Sequence, residues 1–267
     1  MARLRALDEN GIRTLASDYR KRSTRSGSAL TWKEANPWLD EVLASWPTLH
    51  AWASEREDLR TFPGRGKVYS VPAPVPGPDE GERWAVRHYR RGGAMAMHMD
   101  DRYLRVGRAR PFREIEASCL ARARGVRTPA AIAGATYEDG PYYRCDLVTE
   151  VVPDVRTLAD LLHEHDGTRG WLVSMARAGD LVRHLAEVGV YHIDLNARNV
   201  LMADDPTDAP WVVDLDRARI LRRPSRSVRD RMQVRLTRSI MKIGTPTGER
   251  LRDAEIEAAL SRRPEDL

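Results

Sequence analysis

Tyr191-His192-Ile193-Asp194-Leu195-Asn196-Ala197-Arg198-Asn199-Val200, with Trp211-Val212-Val213-Asp214-Leu215-Asp216 downstream, decides how this chain is read. Asp194 follows a helix stop and a His, precedes an Asn by five residues, and is answered by Asp214 straight after a short apolar strand. One Asp can hold an attacking hydroxyl while an Asn and a second Asp hold magnesium on a nucleotide's phosphates. A lone loop Asp is more often a turn or cap residue; the combination is what points to chemistry. Asp194 is the candidate catalytic residue, Asn199 and Asp214 the candidate ligands of Mg2+, and ATP the implied donor. His192 reads as a brace of the loop, since phosphoryl transfer needs no imidazole. No H-E-x-x-H or C-x-x-C spacing accompanies these residues, so zinc is not implied.

Working outward, 267 residues can bury a sizeable core as one large domain or two lobes. Apolar residues make up 42% and charged residues 31%, the balance of a soluble enzyme. No apolar run approaches the roughly 18 residues of a membrane span, and the polar start lacks a signal core, so a cytoplasmic location is expected. Cys119 and Cys145 are too few for a disulfide framework and read as core thiols. Charge is uneven: ten basic residues stand against Asp230 alone between Arg217 and Lys242, and nine Arg against Asp100 and Asp101 between Arg83 and Arg113. Such blocks attract nucleic acid, anionic lipid or a phosphorylated substrate.

Residues 1–60 read as a helical extension unlike the rest, with Asn36-Pro37 as N-cap and first helical position. Trp32, Trp38, Trp46 and Trp52 in it are expected to pack on the protein itself. Residues 61–150 read as a strand-rich lobe: a Gly-rich turn, a strand over 83–89, a helix from about Pro111 to Arg124 ended by Gly125, and a strand from Tyr142 to Val152. Residues 151–267 read as a helical lobe, with helices over 158–163, 171–188 and 249–260 and an amphipathic basic helix marked by Val228, Met232, Leu236, Ile240 and Ile243. Together these give an α+β, bilobal, protein-kinase-like fold, with a small antiparallel-sheet N-lobe and a reduced helical C-lobe.

In that order of elements, Gly64 and Gly66 can lay backbone N–H groups over phosphates. Arg87 occupies the place of a kinase's strand Lys, and a guanidinium can both ion-pair a helix Glu and touch phosphates. Its expected partner is Glu114, with Glu116 as second choice on a different face. Glu150 and Val152, at the end of the last strand of this half, complete the nucleotide-binding set.

The strings Val86-Arg87-His88-Tyr89-Arg90-Arg91-Gly92-Gly93, Asp101-Arg102-Tyr103-Leu104 and Val190 to Asn199, with Arg235-Leu236-x-Arg238-Ser239-Ile240-x-Lys242, resemble the lipopolysaccharide kinase family of Gram-negative bacteria, in particular its 3-deoxy-D-manno-octulosonic acid (Kdo) kinases. The resemblance runs from about residue 62 to 245 and leaves the first 60 residues without a counterpart. It implies ATP-dependent phosphorylation of a Kdo hydroxyl, the 4-OH, on a Kdo-lipid A precursor in lipopolysaccharide core synthesis. The enzyme would be peripheral, at the cytoplasmic face of the inner membrane. By position, Asp194 is then the catalytic acid, Asn199 and Asp214 bind metal, and Arg87 replaces the kinase Lys. Asp214-Leu215-Asp216 stands in the place of D-F-G, no A-P-E segment follows, and Arg198 departs from the family's His. Arg90, Arg91, Arg235, Arg238 and Lys242 would hold an anionic head group or membrane surface, each near-surface cation contributing about 1 kcal/mol. No nucleic-acid partner is expected. Two alternatives remain at this point: a phosphotransferase of the RIO or aminoglycoside type with a polar acceptor, or a nucleotide-binding pseudokinase.

Overall fold

The computed structural model describes residues 2–62, 67–90, 101–164, 169–243 and 252–267, with side chains from Asp8 onward. Contacts sort the chain into two compact units. One consists of Ile12–Cys119 and Pro129–Val152, the other of Met1–Gly11, Leu120–Thr128 and Pro153–Leu267.

The first unit is built on antiparallel strands: β1 (Tyr19–Thr24), β2 (Gly27–Trp32), β3 (Arg60–Phe62), β4 (Val68–Pro72), β5 (Arg83–His88), β6 (Tyr103–Leu104), β7 (Ala131–Asp139) and β8 (Tyr142–Glu150). They form one eight-stranded sheet in the order β1-β2-β7-β8-β5-β4-β3, with β6 also on β8. The order corrects the expectation that residues 1–60 are helical. Helix α1 (Ala2–Asp18) is followed by the β1–β2 hairpin, and β2 pairs with β7 inside the sheet. Strand β1 hides from pattern reading because it is a polar edge strand in which only Tyr19 is buried. Charged edges of this kind discourage pairing with other chains. Gly27 is required where β2 begins: a Cβ there would lie 2.2 Å from the Thr136 carbonyl oxygen.

Helices α2 (Asn36–Ser45) and α3 (Leu49–Ser54) carry the tryptophans onto the sheet. Trp38 meets Trp52 at 5.2 Å and Trp84 of β5 at 4.8 Å, both edge to face, a preferred aromatic geometry. Asn36 is the first residue of α2 rather than its cap; Ala35 occupies the cap position, and Asn36 Nδ2 donates back to the Lys33 carbonyl at 2.7 Å. Helix α4 (Arg110–Ala123) buries Phe112, Ile115 and Cys119 in the core of this unit. Both cysteines are buried, and neither forms a disulfide among the described residues.

The second unit holds β9 (Val155–Thr157), α5 (Leu158–Glu164), α6 (Arg169–Glu187), β10 (Val190–Tyr191), β11 (Val200–Ala203), β12 (Trp211–Val212), β13 (Arg219–Ile220), α7 (Arg226–Met241) and α8 (Asp253–Ser261). Strand β11 pairs with β12 and β9, and β10 with β13. Helix α6 stops at Gly189, whose φ of +71° suits a residue without Cβ. A fully buried guanidinium collects carbonyls just past the end of α6 and beyond β13: Arg124 donates to Val188 O at 2.5 Å, Gly189 O at 3.1 Å and Leu221 O at 2.9 Å, and pairs with Asp8 at 2.7 Å. A buried charge is tolerated when it is paired and its hydrogen bonds are filled. Helix α7 is capped by Ser225 and buries Val228, Met232, Leu236 and Ile240 of the expected stripe, while Ile243 lies past its end and is half-buried. The fold is α+β, as expected.

Candidate active site

In the helical unit, Gly189 turns the chain out of α6 through β10 into the loop 192–199. Leu195 and Ala197 are fully buried anchors, and the Ala197 N–H donates to Ser239 Oγ of α7 at 3.1 Å. Asn196 closes the turn, its Nδ2 donating to Asp194 O at 2.9 Å and its Oδ1 accepting from the Arg198 N–H at 2.9 Å. Asn199 Nδ2 donates to the same Asp194 carbonyl at 3.3 Å. Arg198 itself is exposed, and its backbone rather than its side chain serves the turn.

Two bonds sew this loop to the second acid. The Val213 N–H donates to Asn199 O at 3.0 Å, and His192 Nε2 lies 3.0 Å from Val213 O. Burial lowers the His192 pKa against the raising effect of that carbonyl bond, so the ring stays neutral. It is the brace that the sequence suggested. Asp214 follows at φ +67°, a left-handed conformation that non-glycine residues adopt at a cost and that clusters at functional sites.

Asn199 spends its amide nitrogen on Asp194 O, so the groups that it and Asp214 could offer a cation are a carboxamide oxygen and a carboxylate. Such a hard oxygen pair fits Mg2+, which takes one or two protein oxygens and fills its octahedron with phosphates and water. Among the described residues there is no cluster of three or more His, Cys, Asp or Glu that could hold a metal alone.

Asp194 is met on both oxygens. Arg217 Nη1 donates to Oδ2 and Arg235 Nη2 to Oδ1, each at 2.8 Å. Sequence reasoning placed Arg235 with the substrate-surface residues and did not single out Arg217. Their only local signals are the basic residue directly after Asp214-Leu215-Asp216 and the basic stripe of α7. Arg238 and Lys242 are exposed on the same helix or at its end.

In the sheet unit, strand alternation splits Arg87-His88-Tyr89 between two faces. Arg87 Nη2 pairs with Glu114 of α4 at 2.6 Å, the expected partner, while Glu116 pairs with Arg108 instead. Tyr89 also donates to Glu114, and its ring lies 4.6 Å from the Arg87 guanidinium. Burial and the Glu114 carboxylate push the Tyr89 phenol well up, so it stays protonated. The guanidinium is thereby fixed by an acid, a hydroxyl and a ring.

His88 points the other way. Its Nδ1 lies 2.6 Å from Oδ1 of fully buried Asp146, its cross-strand partner on β8, and its Nε2 3.2 Å from Asp101. Asp146 Oδ2 accepts from the His50 N–H at 2.8 Å and the Tyr137 hydroxyl at 2.9 Å, and that hydroxyl accepts from the Leu49 N–H at 2.8 Å. Burial by itself would lower the His88 pKa; Asp146 and then Asp101 overcome it and raise it. Sequence reading missed this network.

Glu150, expected at the nucleotide, is buried and turned into the 77–81 turn, where it accepts from the Asp79 N–H at 3.1 Å and the Gly81 N–H at 3.3 Å. Its side chain is therefore a loop anchor. Val152 is half-buried at the end of the unit, and Arg90 is exposed. Gly64, Gly66 and Arg91 lie outside the described residues.

Compared with known proteins, residues 49–257 match the model of the lipopolysaccharide kinase (Kdo/WaaP) family. A 3-deoxy-D-manno-octulosonic acid kinase of Xylella fastidiosa is 32% identical over 206 residues, 76% of each chain. One from Vibrio parahaemolyticus is 30% identical, covering 68% of this chain and 75% of its own, and one from Xanthomonas oryzae pv. oryzae is 35% identical, covering 70% and 71%. A solved structure of WaaP in complex with acyl carrier protein aligns over 92% of this chain and 91% of its own, with 16% identity and a TM-score of 0.49.

Proposed function

The chain belongs to the lipopolysaccharide kinase (Kdo/WaaP) family, and on that premise we propose that it moves the γ-phosphoryl group of ATP onto the 4-OH of the Kdo sugar of a Kdo-lipid A precursor. It is an ATP-dependent phosphotransferase of lipopolysaccharide core synthesis. Mg2+ as the metal and the cytoplasmic face of the Gram-negative inner membrane as the place of action extend the same reading.

The observation that carries the chemistry is the loop of Asp194 and Asn199 tied to Asp214 by the Val213 N–H and by His192. In the proposed reaction the sugar hydroxyl oxygen attacks the γ-phosphorus, the bond from that phosphorus to the β,γ-bridging oxygen breaks, and ADP departs. Asp194 orients the hydroxyl and takes its proton on a carboxylate oxygen. Arg87, fixed by Glu114 and Tyr89, offers N–H groups to the nucleotide phosphates in place of a lysine. Asn199 and Asp214 are the residues that would hold Mg2+, which when bound neutralises phosphate charge.

Among the described residues no helix is long and apolar enough to cross a membrane. In this reading the lipid acceptor is met at a surface, and exposed Arg90, Arg238 and Lys242, with Arg91 by sequence, supply cations for it. The test is mass spectrometry of Kdo-lipid A incubated with ATP and the protein. Gain of one phosphate on Kdo is expected, with loss of that gain in Asp194→Ala. Transfer that survives Asp194→Ala removes the catalytic assignment, and phosphate appearing on another position of the lipid removes the 4-OH.

A further inference from the structure

Arg235 stands at once on the catalytic carboxylate and in an open groove. Its Nη2 donates to Asp194 Oδ1 at 2.8 Å. The groove, about 480 Å³, is lined by Ser227, Asp230, Arg231, Val234, Arg235 and Arg238, all on one exposed side of α7. Arg231, Arg235 and Arg238 follow the i, i+4, i+7 spacing that stacks side chains on a single helix face. Among the described residues, Arg231 and Arg238 make no hydrogen bond or ion pair, and Asp230 is paired with Arg229 at 3.3 Å. Two uncommitted guanidinium groups thus flank a third that is committed by one N–H. A guanidinium carries five N–H donors in a planar fork, so Arg235 has donors left after Asp194 is served.

We propose that this groove binds an anionic group of the acceptor, a carboxylate or a phosphate, and that Arg235 bridges that group to Asp194. The proposal deepens the function given above and rests on its assignment of Asp194. One edge of the Arg235 fork holds the acceptor's anion and the other holds Oδ1, so the reacting hydroxyl is set at a fixed reach from the anion. Arg217, on Oδ2, fixes the carboxylate's rotation and takes no part in reading the acceptor. Each carboxylate oxygen has two lone pairs, which leaves one on Oδ1 for the hydroxyl while Arg235 stays in place. Arg235 is on this account a positioning and specificity residue: it selects acceptors in which hydroxyl and anion are close neighbours.

The test is steady-state kinetics of the full chain with Kdo-lipid A as acceptor. Arg231→Gln and Arg238→Gln are expected to raise the acceptor KM roughly 10-fold each, the loss of one charge-assisted hydrogen bond. Arg235→Gln is expected to raise it and also to lower kcat roughly 10- to 100-fold. Arg235→Lys should fail to restore kcat, because a point charge cannot fork. Arg217→Gln should lower kcat with the acceptor KM kept. An acceptor with its Kdo carboxyl converted to an amide should show the raised KM with the unaltered protein if the sugar's carboxylate fills the groove. An acceptor stripped of its lipid phosphates should do so instead if a phosphate fills it. Both arginines are 56% exposed, and unchanged thermal unfolding of the variants is the control. The proposal is overturned if neither altered acceptor and none of the α7 variants changes the acceptor KM while Asp194→Ala abolishes transfer. Transfer that persists in Asp194→Ala would overturn the functional reading, and the bridge with it.

Discussion

Replacing Asp146 with Asn should cost the sheet unit about 3–5 kcal/mol, the range for breaking one partner out of a buried ionic pair. The magnitude can be built from its contacts. The carboxylate faces three donors: His88, the His50 N–H and the Tyr137 hydroxyl. The hydrogen bond to a charged ring is worth about 1.5–3 kcal/mol. An amide keeps one acceptor oxygen but presents NH2 to a remaining donor, and a buried donor left unsatisfied costs about 1–3 kcal/mol more.

The pH dependence carries a second signature. His88 has a raised folded-state pKa, so its stabilising contribution is full below the unfolded value near 6.5 and is lost as pH rises through the folded value. His50, packed 5.6 Å from His88, has a lowered pKa, chiefly by burial, opposed by the Lys67 carbonyl and Asp146 and reinforced by His88 and Arg90. Its contribution is full above about 6.5 and is lost as pH falls. The histidine part of the unit's stability therefore peaks near pH 6.5. Asp146→Asn should remove the loss on the alkaline side. The assay is urea unfolding followed by tryptophan fluorescence, because Trp32, Trp38, Trp46, Trp52 and Trp84, five of the chain's seven, lie in this unit. At a slope of about 2 kcal/mol/M the midpoint should fall by roughly 2 M. A drop below about 1 kcal/mol, or an unaltered protein that gains stability between pH 6.5 and 8.5, would refute the reasoning.

Other outcomes follow from single contacts. Glu114→Gln removes the charge that fixes Arg87 and should lower kcat/KM for ATP roughly 10- to 100-fold, with acceptor KM as the internal control. Gly179→Ala places a Cβ 1.8 Å from the Leu260 carbonyl oxygen; α6 and α8 must part, and calorimetry should register a loss of about 1–3 kcal/mol. Charge reversal at Arg238 and Lys242 should weaken sedimentation with anionic vesicles by about 1 kcal/mol or more per site. Equal binding of the variant and the unaltered protein would remove the membrane role of these two cations.

Local spacing is what made the active-site loop legible. Asp194 and Asn199 sit within one loop and Asp214 just past the second of the two short strands after it, and the bonds that join them span 21 residues at most. Arg87 and Glu114 could be paired because one lies on a strand and the other on the next long helix. The contacts that escaped are those that only tertiary structure creates. His88 meets Asp146 across 58 residues, and Arg235 meets Asp194 across 41. Nothing in a charged helical stripe tells which arginine turns inward. Strand β1 escaped for a different reason: with five of its six residues exposed or half-buried, it carries no alternation to detect. Glu150, expected at the nucleotide, spends its side chain on the Asp79 and Gly81 N–H groups, a contact that no local pattern announces.

The two units are each stitched from separated stretches of chain, and this bears on how the protein comes into being. Met1–Gly11 belongs with Leu120–Thr128 and Pro153–Leu267. Asp8 therefore meets Arg124 only after 116 further residues have been added. Arg124 must hold its buried charge beside Asp8 while it waits for Val188, Gly189 and Leu221. The sheet unit can close once Val152 has emerged, whereas the loop of Asp194 finds its anchors only after Arg235 and Ser239 of α7 have been made. Phosphotransfer competence would thus trail the sheet, and a chain stalled short of α7 would carry a finished sheet with the Asp194 loop unanchored.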